Sequence, residues 1–210
     1  YIYDKPDEVN LGWNWYDSDT ENMLADEPVL KARFKKIMKL AAVQGKGYLF
    51  FPDKANRQAP QMYKDLGLKV KSSNLCSEIT LFQDEDHTYT CVLAAMNLSK
   101  YNEWKDTDAI FTATVFLDCV ASEFIQMAEN YPGMEKAVRF TKKGRALGLG
   151  VCGYHTYLQQ ESMPFESLPA MFFNQMFFKE LQEKTLEASK WMAQQWGEPE
   201  WCKGYGVRNT

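Results

Sequence analysis

Within Asn74-Leu75-Cys76-Ser77-Glu78, an amide, a thiol and a carboxylate stand at i, i+2 and i+4. In an extended segment side chains alternate, so these three are expected to project from one face. An amide can orient a hydroxyl, a carboxylate can take a proton from one, and a cysteine can act as nucleophile or radical carrier. Chemistry on a small polyhydroxylated molecule fits this set. A core cysteine beside a solvated glutamate fits the same spacing, and residue types alone leave both readings open.

Composition narrows the setting. The 210 residues are 45% hydrophobic and 14% aromatic, enough for one sizeable core or for part of a larger domain. A net charge of -4 argues against a general nucleic-acid binder, so no direct nucleic-acid contact is expected. Five cysteines (Cys76, Cys91, Cys119, Cys152 and Cys202) form no C-x-x-C pair and suit a reducing compartment, which points to the cytoplasm. No signal peptide opens the chain and no apolar run reads as a span of roughly 18 residues, so no membrane partner is expected. His87 and His155 lack Cys or acidic partners at ligand spacing, and no metal site is expected. The chain opens at Tyr1 without Met and stops after a Gly-rich stretch, which reads as a piece of a longer protein.

Alternating helices and short apolar strands must position the trio. Asp26-Glu27-Pro28 predicts a helix start, Leu30, Phe34, Ile37, Met38 and Ala41 its apolar face, and Gly45 its stop. Tyr48–Phe51 reads as a strand, as do Ile79–Phe82 and Tyr89–Leu93, the last two separated by the charged turn 84–86. A helix is expected from Asp106 or Thr107, with Ile110, Ala113, Leu117, Val120, Phe124 and Met127 facing the core and Tyr131-Pro132-Gly133 closing it. Ala146–Val151 reads as a strand, Tyr154–Gln160 as a short helix, and about Pro169 to Trp196 as a long one with Phe173, Phe177, Leu181 and Ala188 inward. This order predicts an α/β architecture.

Gly148, Gly150 and Gly153 satisfy G-x-G-x-x-G literally, but the first two fall inside an apolar run, so close backbone packing is expected instead of a dinucleotide turn. The basic run Lys136, Arg139, Lys142, Lys143 and Arg145 reads as a solvated face. Trp191, Trp196 and Trp201 read as helix packing, and Cys152 as a packing cysteine.

Ser73-Asn74-Leu75-Cys76-Ser77-Glu78-Ile79 resembles the finger-loop motif of the ribonucleotide reductase catalytic (large) subunit. Four further segments resemble the same family in the same order. Gly47 to Phe51 with Asp53 and Asn56 looks like the strand and D-x-x-N turn before that loop, and Thr90 to Leu98 looks like the strand holding a redox cysteine. Arg145 to Val151 matches R-A-L-G-[IL]-G-V, and Gly206 to Thr210 resembles the G-[LV]-R-N-[ST] stretch leading into a phosphate-binding loop.

The resemblance implies an α/β fold that is part of a ten-stranded α/β barrel, with a central finger loop at about residues 71–80 and long helices packed outside, residues 1–210 being one partial domain. It implies that Cys76 becomes a thiyl radical, that Glu78 is the general base on the 3′ hydroxyl, and that Ser73, Asn74 and Glu78 bind substrate. Cys91 is then one of two cysteines that close to a disulfide; its partner belongs to an earlier strand, and no cysteine precedes Asn74 here. A radical thiol must be shielded, so Cys76 is expected to be largely buried. The implied activity is ribonucleoside-diphosphate reduction of class I type, on a ribonucleotide substrate, with no cofactor bound directly. The radical would come from a separate dimetal small subunit, and thioredoxin or glutaredoxin would serve as reductant. The other partner is the remainder of the catalytic subunit. Two alternatives stand beside this reading: a non-catalytic or split piece active only when complemented, and a cobalamin-dependent relative.

Overall fold

The computed structural model describes residues 12–45, 48–74 and 76–210. The chain divides between Asp86 and His87 into two compact units, each with its own parallel strand pair.

In the first unit β1 (Gly12–Asn14) pairs in parallel with β2 (Tyr48–Phe50), Trp13 opposite Leu49. A parallel pair needs a crossover, and α1 (Asp17–Leu24) and α2 (Pro28–Gln44) supply it. The expected ends of α2 are present. The Glu27 carboxylate accepts from the Val29 N–H at 3.0 Å, Pro28 opens the first turn, and Gly45 closes the helix at φ +63°. Ile37 alone on the expected face is fully buried, against Trp13 and Trp15; Phe34 and Leu40 pack at its rim, and Met38 is exposed. Two short helices that periodicity did not reveal follow, α3 (Pro52–Gln58) and α4 (Gln61–Asp65).

The segment Ile79–Phe82, expected as a strand, forms none. Its apolar character is used differently: Phe82 is buried edge-on against Tyr63, ring centroids 6.5 Å apart, so side-chain packing replaces ladder pairing.

In the second unit β3 (Val92–Asn97) pairs in parallel with β4 (Leu147–Cys152), Leu93 opposite Gly148. The strand expected at Tyr89–Leu93 thus begins at Val92 and runs on to Asn97. The crossover is α6 (Ala109–Ala128) and α7 (Glu135–Gly144), preceded by the single turn α5 (Tyr101–Trp104). Then come α8 (Tyr154–Gln160) and α9 (Leu168–Trp196), both close to expectation. Ser167 caps α9 by accepting from the Ala170 N–H, and Phe173, Phe177, Leu181 and Ala188 all face inward. Phe173 and Phe177 join Leu98, Tyr101, Ile110 and Leu158 in the core.

The expected face of α6 needs correction. Val120 and Met127 are 37% and 62% exposed, and the buried row is Ile110, Thr114, Leu117, Asp118 and Ala121. With 20 residues and a mean hydropathy of 1.4, α6 is also long and apolar enough to cross a membrane, contrary to the expectation that no run would be. It packs along α9, β3 and α7 and buries a carboxylate on that face. The basic run belongs to α7. Lys136, Arg139 and Lys142 are exposed as expected, but Arg145 is buried.

Candidate active site

The Asn74–Glu78 segment is a tight turn, not an extended strand. The Ser77 N–H donates to the Asn74 carbonyl at 3.1 Å, and Ser77 sits at φ +66°. The period-2 argument for three side chains on one face therefore fails, because the chain reverses between Asn74 and Glu78. The turn brings two of the three together by another route. Asn74 Nδ2 donates to Glu78 Oε1, and Asn74 Oδ1 accepts from the Ile79 N–H at 3.0 Å. One side-chain amide thus holds both the carboxylate and the backbone beyond it, with Cys76 at the turn between them. Leu75 lies outside the described residues.

Cys76 is exposed, where shielding of a radical thiol led us to expect burial. The turn places it at a tip, and no described residue covers it. Ser73 is 3% exposed, and its hydroxyl donates to the Asn74 carbonyl at 2.9 Å, so as placed it braces the turn. Upstream, Asn56 on α3 and Asn14 on β1 hydrogen-bond the backbone of Val70 and Lys71.

Cys91 belongs to the second unit, at the entry to β3, and is half-buried. Burial pushes its thiol up from the ordinary cysteine value, so at neutral pH it is a protonated thiol. Gly148 lies beside it on β4. A Cβ there would fall 3.2 Å from Cys91 Sγ and run into Leu93 Cδ2, so close packing accounts for this glycine. Gly153 stands at φ +72° before α8, with no room for a Cβ against Asn97 Oδ1. The other cysteines differ among themselves. Cys202 is fully buried and its thiol is pushed up to about 12, mainly by burial, whereas Cys119 and Cys152 are exposed, the latter against expectation.

A cluster that the sequence did not reveal centres on Asp118, 1% exposed in the middle of α6. Arg145 donates Nε to Oδ1 and Nη2 to Oδ2, both at 2.8 Å, in a bidentate pair. Arg208 Nε reaches Oδ2 at 3.0 Å and Asn209 Nδ2 reaches Oδ1 at 2.9 Å. Arg145 Nη2 also donates to the Asp118 carbonyl and to Ser122 Oγ, and Ser189 Oγ accepts from the Arg208 and Asn209 N–H groups. Burial alone would raise the Asp118 carboxyl, but Arg145, then Arg208 and Asn209, outweigh it and hold it below the ordinary carboxylate value. Arg145 adopts φ +49° at the end of α7, which turns its side chain into the cluster. One signal could have exposed it: a lone aspartate inside an apolar helical run requires buried partners.

Comparison with known proteins gives a consistent result. Residues 13–208 match the family model described as "Ribonucleotide reductase, barrel domain", a span that includes Asn74, Cys76, Glu78, Cys91, Asp118, Arg145 and Arg208. The chain is 36% identical over 135 residues to the ribonucleoside-diphosphate reductase large subunit of Invertebrate iridescent virus 3, covering 64% of this chain and 21% of that protein. It is 35% identical over 161 residues to the putative large subunit of Frog virus 3, covering 76% and 28%. Among solved structures, the Actinobacillus ureae class Id ribonucleotide reductase alpha subunit aligns with a TM-score of 0.91 and 45% identity, covering 94% of this chain and 38% of that one. The chain therefore spans between a fifth and two-fifths of the length of these three proteins, and its fold is part of an α/β barrel.

Proposed function

Because this chain belongs to the ribonucleotide reductase barrel family, we propose that it carries the radical cysteine, the base and the hydroxyl-binding amide of a class I ribonucleoside-diphosphate reductase catalytic subunit. The observation that carries the reading is the turn itself, in which Asn74 holds Glu78 with Cys76 between them.

Each residue then has a task. The Cys76 sulfur, as a thiyl, takes the 3′ hydrogen of the ribose, forming S–H and leaving a carbon radical. Glu78 takes the 3′ hydroxyl proton. The 2′ C–O bond breaks and that hydroxyl leaves as water. Cys91 and a second cysteine from the remainder of the subunit supply two electrons and two protons and close to a disulfide. The 3′ hydrogen then returns from Cys76, which becomes a thiyl again, and Glu78 gives its proton back to the 3′ oxygen. The sum is ribonucleotide plus two thiols giving deoxyribonucleotide, water and a disulfide. A protonated Cys91 suits this step, because it must bring a proton with its electrons. Asn74 must exchange its contact with Glu78 for the substrate hydroxyls, which frees the carboxylate to act as base.

The oxidising equivalent would come from a separate dimetal small subunit. Thioredoxin or glutaredoxin would reopen the disulfide. The exposed Cys76 would be covered by the rest of the catalytic subunit, and this chain alone would be inactive. The likeness to a class Id alpha subunit at 45% identity favours class I over a cobalamin-dependent enzyme. Five cysteines with no C-x-x-C pair suit the cytoplasm.

In the complete enzyme, Cys76→Ser should abolish deoxyribonucleotide formation while leaving nucleotide binding within about 3-fold. Substantial residual turnover would sink the assignment.

A further inference from the structure

The segment that delivers Asn74 to its turn has no strand beside it: among the described residues, none between α4 and β3 forms a ladder. Val70 is nevertheless 2% exposed, and a buried backbone must find partners for its N–H and C=O. Both come from one side chain. Asn56 Oδ1 accepts from the Val70 N–H at 2.9 Å, and Asn56 Nδ2 donates to the Val70 carbonyl at 2.8 Å. This is the pairing a residue on a neighbouring strand would offer. The second hydrogen of Nδ2 goes to the Pro52 carbonyl at 2.8 Å, one turn earlier in α3, which fixes the plane of the amide. The next carbonyl, that of Lys71, is taken by Asn14 Nδ2 at 2.9 Å from β1. Gln83 donates to Ser72 Oγ, and Ser73 Oγ donates to the Asn74 carbonyl. Residues 70 to 74 are thus held one after another by side chains, and the clamp ends where the turn begins.

We propose that Asn56, seconded by Asn14, is a positioning residue for the Asn74–Glu78 turn, its side-chain amide making the pairing that no described strand makes and setting where the Cys76 thiol sits. The inference rests on the reading of that turn as the catalytic loop. Neither asparagine is given a part in the chemistry. Their effect passes through Val70 and Lys71 to the turn. The amide is specifically required. Aspartate has the same shape and accepts from the Val70 N–H, but it has no hydrogen for the Val70 and Pro52 carbonyls and sets carboxylate oxygen against both.

The test uses the complete catalytic subunit with its radical-generating partner, comparing wild type, Asn56→Asp and Asn14→Ser. Expected for Asn56→Asp is a kcat lower by about 10- to 100-fold with KM within about 3-fold, the signature of a displaced reacting group. Amide hydrogen exchange in residues 70–79 should quicken by roughly 10-fold while the α2 and α9 amides keep their protection. Asn14→Ser should show the same pattern at smaller amplitude. Unchanged exchange at residues 70–79 overturns the proposal, as does an unchanged kcat. If Asn56→Asp does not fold, Asn56→Ser is measured by the same exchange: quickening at residues 70–79 supports the clamp, and unchanged exchange overturns it. The functional reading fails separately: turnover retained by Cys76→Ser removes the reductase assignment, while exchange in the Asn56 variants still decides the clamp.

Discussion

The Asn74–Glu78 turn and the Asp118 cluster both gather polar side chains, and they leave them in opposite conditions. At the turn Glu78 is exposed, holding one hydrogen bond to Asn74, and the Cys76 thiol faces outward. At the cluster both oxygens of a buried carboxylate are taken, by two guanidiniums and an amide, and those groups direct further donors to nearby carbonyls and to Ser122 Oγ. A carboxylate with both oxygens engaged by buried donors is committed to the protein rather than to a substrate. The cluster is therefore architecture, tying α6, the end of α7 and the segment Arg208–Asn209 together. The turn keeps capacity in reserve, as a site for chemistry must.

The largest effect that would break this contrast lies at Asp118. Asp118→Asn leaves one buried and one partly buried guanidinium short of their counter-charge and should destabilise the second unit by about 3–5 kcal/mol, measured by urea unfolding. Cys76→Ser, which should stop turnover, should stay within about 0.5 kcal/mol of wild type. Comparable losses at both positions would erase the distinction. The pH dependence has a definite sign. The folded Asp118 carboxyl lies below its unfolded value of about 3.9, so its contribution is full above that pH and is lost as pH falls through the lower folded value. The stability gap between wild type and Asp118→Asn should therefore close on acidification below about pH 4, and a gap that widened would contradict the pairing.

A smaller effect is expected at Gly148, between the two extremes. An added methyl meets the tip of Leu93, which is exposed and can swing away, and Cys91 Sγ, which is half-buried and has less room. Gly148→Ala should cost about 1 kcal/mol of stability. It should also displace Cys91 enough to raise its alkylation rate, followed by peptide mapping. An unchanged rate would mean that the glycine serves the strand alone.

These regions also differ in how far the sequence revealed them. Helices α2 and α9 were legible because their signals are local: an acidic start or a proline in the first turn, and apolar residues at helical spacing. The trio Asn74, Cys76 and Glu78 was legible as chemistry, but its geometry was not, because alternation presumes a strand and Ser77 adopts φ +66° instead. Exposure of Cys76 was misjudged for a related reason. Its shielding was inferred from the chemistry of a radical, and these residues do not themselves supply that cover. The core face of α6 was misread because hydrophobicity favoured Val120 and Met127, while the partners that draw Asp118 inward lie 27 and 90 residues away. No periodicity within a helix reports a partner so distant.

The smallest prediction sharpens the contrast by holding charge type fixed and changing burial. Lys142 on α7 is paired with Glu129 just after α6, the same pair of elements that Arg145 and Asp118 join, but the side chains are 45% and 53% exposed. Water already solvates both ions, and ordering two long side chains costs entropy, so the coupling should be below about 1 kcal/mol in a double-mutant cycle of Lys142→Ala and Glu129→Ala. Added salt at about 0.5 M should remove most of it, because screening acts within a few ångströms at exposed sites. The Asp118–Arg145 coupling should persist at the same salt. If the exposed pair proved as strong and as salt-resistant as the buried one, burial would not be what gives the Asp118 cluster its weight. The reason for keeping a carboxylate inside α6 would then have to lie in chemistry rather than architecture.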